Sequence, residues 1–237
     1  MFFSESMESP RKPILNIGAG IARLALAQGL RKASSFLRLL SALNPRVATT
    51  ERHPILVVPF ERDASARSRP HGWALTIHLS LPRMLELLPE DITSRLHTSP
   101  VDPTMEHDPS LSVFLNLEDC TAKWRLPPTY GNRMRVARRR LRDLLLEGLD
   151  GLILWGKNLR SLDVGPDGAQ ARSVDGSQYN GELLIGVDGL HSRGRSLVYG
   201  PELARFTPIP ACFLGPQALA TEKQIGPLLG LDPTLFQ

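Results

Sequence analysis

The segment Pro13–Ala33, PILNIGAGIARLALAQGLRKA, leaves this chain few choices of fold. Ile14 to Ile17 predict a short strand, and Gly18-Ala19-Gly20 follows at once. Leu24, Leu26, Ala27 and Leu30 then recur with helical period, while Arg31 and Lys32 gather toward the end. Strand, glycine turn and helix open a βαβ unit of the kind that binds dinucleotides. Gly18 permits the sharp turn. Gly20 lets the backbone approach a pyrophosphate, which the positive end of the helix stabilises. An ordinary strand-to-helix turn would read the same way on this fragment alone, so the rest of the chain decides.

The second strand of such a unit should end in an acid about 20 residues after the glycines. Ile55-Leu56-Val57-Val58-Pro59-Phe60-Glu61 supplies the pattern, and a carboxylate there would accept hydrogen bonds from both hydroxyls of an adenosine ribose. Glu61 nevertheless falls 41 residues after Gly20. The excess, Ser34 to Pro54, reads as an insertion in which Phe36, Leu37, Leu39, Leu40 and Leu43 could lengthen the helix.

Further along, Gly72 to His78 reads as a strand, and Leu85 to Leu96 as one or two short helices around Pro89. Thr98–Pro109 reads as a loop, by its prolines and acids. Ser112–Leu117 and Ala122–Leu126 alternate as a pair of strands. A basic helix is expected from Met134 to Gly148. Three strands follow: Ile153–Asp163, a short one ending at Asp175-Gly176, and the apolar run Glu182–Val187 entering Asp188-Gly189.

Composition narrows the function classes. In 237 residues, 42% hydrophobic and 22% charged, there is enough apolar surface for a core, which excludes an intrinsically disordered protein. No apolar run reaches the roughly 18 residues of a membrane span, so no membrane partner is expected. The opening MFFSESMESPRK lacks the apolar stretch of a secretory signal and reads as a disordered leader over 1–12. Cys120 and Cys212 alone make neither a disulfide framework nor a zinc site; they suit a reducing, cytoplasmic setting, and no metal is expected. The net charge of +4 raises nucleic acid as a partner. The basic residues concentrate in Arg133, Arg135, Arg138, Arg139, Arg140 and Arg142 with no interleaved aromatics and no zinc-finger spacing, so no nucleic acid is expected. A basic helix face beside an anionic cofactor, or a solvated face, accounts for the cluster.

At Gly186-Val187-Asp188-Gly189-Leu190-His191-Ser192-Arg193-Gly194-Arg195 a second motif joins the first. Taken in order, IGAGIARLALAQGLRKA, FERDASARSRPHGWALTIH, RVARRRLRDLLLEGL and LLIGVDGLHSRGR resemble the FAD-dependent aromatic-hydroxylase-type monooxygenases, in particular the fungal FAD-binding-domain proteins. The resemblance implies an α/β fold: a Rossmann-like FAD/NAD(P)-binding βαβ core with a β-meander, plus a partial antiparallel substrate-binding sheet. It assigns 13–62 and 128–200 to the FAD-binding domain, with 34–54 as an atypical insertion, and 63–127 and 201–237 to a partial substrate-binding region. It implies that Gly18 and Gly20 face the FAD pyrophosphate and Glu61 the adenosine ribose. Arg69, with Arg67 as the alternative, would lie on the flavin side. Arg138 would touch the FAD, and Asp188 and Gly189 would hold its ribose and pyrophosphate region. The implied reaction hydroxylates an aromatic or polycyclic small molecule with NAD(P)H as co-substrate and O2. The flavin carries the chemistry, so no catalytic side chain is named, and His78 and His191 read as surface histidines.

Four residues depart from the family pattern where the physics is strict. Arg23 stands at the third glycine position, where it must swing toward phosphate or push the helix off the strand. Asn16 puts an amide in a buried strand, and Pro59 removes a ladder donor. Gly194 replaces a β-branched apolar residue and should weaken the turn. The family's later Gly-Asp segment has no counterpart here, so a truncated chain is expected, with a catalytically inactive FAD-binding remnant as the alternative function.

Overall fold

The computed structural model describes residues 12–43, 57–68, 73–101, 112–116, 118–119, 121–126, 133–149, 151–210, 219 and 221–231. The glycine segment folds as its pattern requires. Strand β1 (Ile14–Ile17) runs into helix α1 (Ile21–Leu43), and β2 (Val57–Phe60) returns parallel to β1 with Ile17 opposite Phe60. On the other edge β1 pairs in parallel with β10 (Leu183–Gly186), giving the order β10-β1-β2. Ser34 to Leu43, the first part of the expected insertion, simply continues α1; residues 44–56 lie outside those described.

Pro59 costs the β1–β2 ladder nothing. Gly18 N–H donates to the Phe60 carbonyl at 2.9 Å, whereas Glu61 N–H points the opposite way, to the Leu154 carbonyl at 2.9 Å. Successive strand residues alternate, so the Pro59 nitrogen, on the Glu61 side, faces away from β1. That side carries residues 154–157, which run alongside β2 through a parallel bridge from Phe60 to Leu154. The expected strand Ile153–Asp163 is therefore two things: this flanking segment, and β7 (Leu159–Gly165).

The antiparallel meander is β7, β8 (Gly168–Ser173) and β9 (Gln178–Gly181). Its third strand, β9, is not among the expected strands, and the expected strand Glu182–Val187 supplies β10 of the parallel sheet. Gly181 makes the transfer possible. A Cβ there would sit 2.5 Å from the Pro13 carbonyl oxygen and the Leu15 side chain, and Glu182 N–H donates to that same carbonyl at 3.1 Å.

Two clusters form the core. Leu15 and Ile17 of β1 meet Phe60, Leu159 and Ala171 between the parallel sheet and the meander. The larger cluster joins Leu24 and Ala27 of α1 to Leu141, Leu144 and Leu145 of α4 (Arg138–Leu146), together with Ile77 of β3 (Ala74–Ile77), Leu88, Ile92 and Leu96. Helices α2 (Leu81–Leu87) and α3 (Glu90–Thr93) bracket Pro89 as expected. The basic helix starts later than expected, because Met134–Ala137 is strand β6, paired antiparallel with β3 and burying Val136. Strands β4 (Ser112–Leu115) and β5 (Ala122–Leu126) form the expected hairpin. Helices α5 (Arg193–Leu203, broken at Gly200) and α6 (Glu222–Leu231) complete the described elements. Among the described residues no helix is long and apolar enough to cross a membrane.

Candidate functional site

Parallel strands that end together leave their carboxyl ends open, and ligands of α/β sheets bind in the crevice outside those ends. The carboxyl ends of β1, β2 and β10 carry the three stretches marked in the sequence. Gly18, at φ 106°, turns the chain out of β1 so tightly that a Cβ would lie 2.6 Å from the Val187 carbonyl oxygen and 2.9 Å from the Asp188 Cα. Val187 N–H in turn donates to the Ile17 carbonyl at 2.9 Å. The first glycine of the N-terminal motif thus rests on the backbone of the C-terminal one.

An open groove of about 250 Å³ runs between them. Gly18, Ala19 and Gly20 form one wall; Phe60, Glu61 and Arg62 follow from the end of β2; Val187, Asp188, Gly189 and His191 close the opposite side, and Arg138 stands at the start of α4. A Cβ on Gly20 would meet no protein atom within 4 Å. The amino end of α1 opens here with N–H groups that the helix itself cannot pair. Arg62, Arg138, Lys157 and Arg193 line the groove against the two carboxylates of Glu61 and Asp188, a balance that favours an anionic ligand with hydroxyl donors. Six of the seven residues singled out in the sequence, Gly18, Gly20, Glu61, Arg138, Asp188 and Gly189, therefore share one groove; Arg69 lies outside the described residues, and Arg67 is exposed on the loop after Glu61 without lining the groove.

Both carboxylates are held. Glu61 is buried, its Oε1 accepts from Asp63 N–H at 3.1 Å, and its backbone is clamped by the Leu154 carbonyl and Lys157 N–H. Asp188 accepts from Ser192 Oγ at 2.5 Å and from Gly194 N–H at 3.0 Å, while Ser192 Oγ accepts from Arg195 N–H and caps α5. Two bonds leave a carboxylate with acceptor capacity to spare. Gly194 keeps the backbone bond that anchors Asp188, and a Cβ there would approach nothing closer than 3.7 Å, so the turn has room for a side chain at this position and does not require glycine.

Arg142 was visible in the sequence only as one of a basic run. Its Nε donates to the Ala19 carbonyl at 3.2 Å and its Nη1 to the Ala66 carbonyl at 2.6 Å, and the guanidinium lies 5.7 Å from the Trp155 ring centroid. It ties the glycine turn to the loop after Glu61. The signal was present: Arg138 and Arg142 are four apart and share a helix face. Arg139 and Arg140 are exposed, on Asp143 and the Pro100 carbonyl, so the basic run divides between groove and solvent. Lys157 sits in no motif, and Arg193, although inside the 186–195 stretch, carries no assigned role there; only the fold brings both to the groove.

No protein-family model matches the chain. Curated relatives do. FAD-dependent monooxygenase dbaB of Emericella nidulans is 36% identical over 233 residues, 97% of this chain and 53% of its own length. FAD-dependent monooxygenase tazP of Aspergillus terreus is 32% identical over 98% of this chain and 56% of its own. The chain is a homologue of FAD-dependent monooxygenases. It spans about half the length of the curated relatives it matches. Among solved structures, a candidate FAD-containing monooxygenase from Photorhabdus luminescens subsp. laumondii TTO1 superposes with a TM-score of 0.60 at 25% identity, covering 81% of this chain and 43% of that one. An FAD complex of HpxO from Klebsiella pneumoniae shares the fold at a TM-score of 0.56 and 18% identity, over 78% and 42% of the two chains.

The residues of this homologue fit such a cofactor. A dinucleotide needs a backbone cradle free of side chains, and Gly18 and Gly20 provide it. Its phosphates need cations and helix N–H groups, and its ribose needs a fixed carboxylate. All three surround the same groove.

Proposed function

We propose that this chain is the flavin-binding portion of an FAD-dependent monooxygenase that hydroxylates an aromatic or polycyclic small molecule, with NAD(P)H as co-substrate. The observation that carries the reading is the seating of Gly18 on the Val187–Asp188 backbone, which makes one groove of two distant motifs. In this reading Gly18 and Gly20 admit the pyrophosphate and Glu61 accepts from the adenosine ribose. Arg138 adds positive charge, and Asp188 and Gly189 hold the cofactor from the β10 side. The Rossmann-like core is 13–62 with 128–200, and 63–127 with 201–237 contributes to the substrate-binding region; Arg69, the arginine expected on the flavin side, lies outside the described residues. When bound, the flavin supplies the redox chemistry and the activation of dioxygen. The protein's own share is to fix the cofactor, to place the substrate beside it and to keep water out.

FAD titration followed by flavin fluorescence tests this. The parent should saturate. Glu61→Ala should weaken binding by about 1.5–3 kcal/mol, the range for a hydrogen bond to a charged group. Gly18→Val should abolish it, since a branched side chain cannot enter where the Val187 carbonyl stands. A parent whose titration shows no binding, and which is colourless once unbound FAD has been removed, would refute the assignment. A second reading is a flavin-binding remnant without turnover. It predicts saturation with FAD but no NAD(P)H-dependent oxygen uptake with any aromatic substrate.

A further inference from the structure

The third glycine position of the cradle holds Arg23, and its side chain goes neither to phosphate nor to solvent. It is fully buried and does not line the groove. Its Nη1 donates to the Phe60 carbonyl at 3.2 Å, the same carbonyl that accepts Gly18 N–H. Nε and Nη2 have no hydrogen-bond partner. A cation in the first turn of a helix works against the helix dipole, and a buried one needs an anion. The neighbouring charges are Glu61, which attracts it, and Arg142, which repels it. Burial pushes the guanidinium down to about 10, and the Glu61 carboxylate is the main opposing pull. Arg23 therefore stays charged at neutral pH. Glu61 is likewise buried, directly after the residue whose carbonyl Arg23 holds.

Resting on the flavin-binding reading above, we infer that Arg23 is a positioning residue for ribose recognition. From behind the groove it fixes the end of β2 and supplies the positive charge that holds the buried Glu61 carboxylate in place for the ribose hydroxyls. It touches no ligand atom. Its effect on binding should therefore pass through the ribose hydroxyls alone.

The test uses the whole chain and two probes, ADP and 2′,3′-dideoxy-ADP, titrated calorimetrically, with thermal melts confirming that each variant is folded. The parent should prefer ADP by about tenfold or more, as a charged hydrogen bond requires. Arg23→Met should weaken ADP to the level of the dideoxy nucleotide, whose own affinity stays within about twofold. Arg23→Lys, which keeps the charge, should retain the preference. Adding Arg23→Met to Glu61→Gln should cost nothing beyond Glu61→Gln alone. If the methionine variant does not fold, Arg23→Gln carries the same expectation. Equal weakening of both nucleotides by a folded variant, or an undiminished preference for ADP, would overturn this role and leave the flavin reading standing. A parent that binds neither ADP nor FAD would overturn both.

Discussion

The helical cluster and the sheet end beneath the groove treat buried polar groups in opposite ways. Among the helices, Gln28 is fully buried and fully employed: its Nε2 donates to the Leu145 and Glu147 carbonyls at 2.8 Å, and its Oε1 accepts from Arg31 Nε. It caps the end of α4. Under the groove, Asn16 is fully buried with neither amide atom paired, and Arg23 leaves two nitrogens unpaired. Buried polar groups are normally satisfied, and exceptions concentrate where function holds them. The contrast teaches that the helices set stability, while the sheet end gives some of it up to shape a site.

The largest effect should come from the helical side. Leu145→Ala removes a fully buried side chain from the main cluster and should cost about 2–5 kcal/mol in chemical denaturation, while FAD affinity of the folded fraction is unchanged. A loss of affinity as large as the loss of stability would erase the distinction between the two regions. Gln28→Ala should follow at about 1–3 kcal/mol, because it strands two carbonyls at the end of α4. Asn16→Leu should run the other way. Replacing an unpaired buried amide by an apolar side chain should stabilise by about 1 kcal/mol, and destabilisation would mean that the amide has a structural role.

The smallest effect is a pH dependence at the rim. Lys157 and Ser177 hold the Asp175 carboxyl well below the usual carboxylate range, and Asp175 is exposed. A depressed folded value means that this contribution is complete above the ordinary aspartate range near about 3.9 and fades as pH falls through and below it. Asp175→Asn should flatten only that acid limb of a melting-temperature profile. A change near neutral pH would show that Lys157 is held for the groove by this ion pair.

Much of the fold was legible beforehand. The strand, glycine turn and helix at 13–33, the β4–β5 hairpin and the helices around Pro89 rest on local periodicity and turn chemistry, and they stand where expected. The misreadings share one cause. Met134–Ala137 carries no helical period of its own, and only its pairing with β3 makes it a strand. The run at 182–187 is a strand as expected, but which sheet it joins is decided by Gly181 and its pairing with β1. Six of the proposed cofactor residues belong to motifs and meet in one groove, whereas Lys157, outside any motif, and Arg193, a motif residue with no assigned role, reach it only through the fold.

What the amino-acid order determined unaided was conformational: where the backbone must turn, which stretches bury one face, and where a carboxylate should follow a strand. Those properties depend on neighbours a few residues away. Only the tertiary structure decided that the Gly18 turn rests on Val187, that Arg142 ties Ala19 to Ala66, and that Arg23 points inward. A long side chain takes its direction, and a buried charge its partner, from atoms that the folded backbone brings close and the chain order keeps far apart.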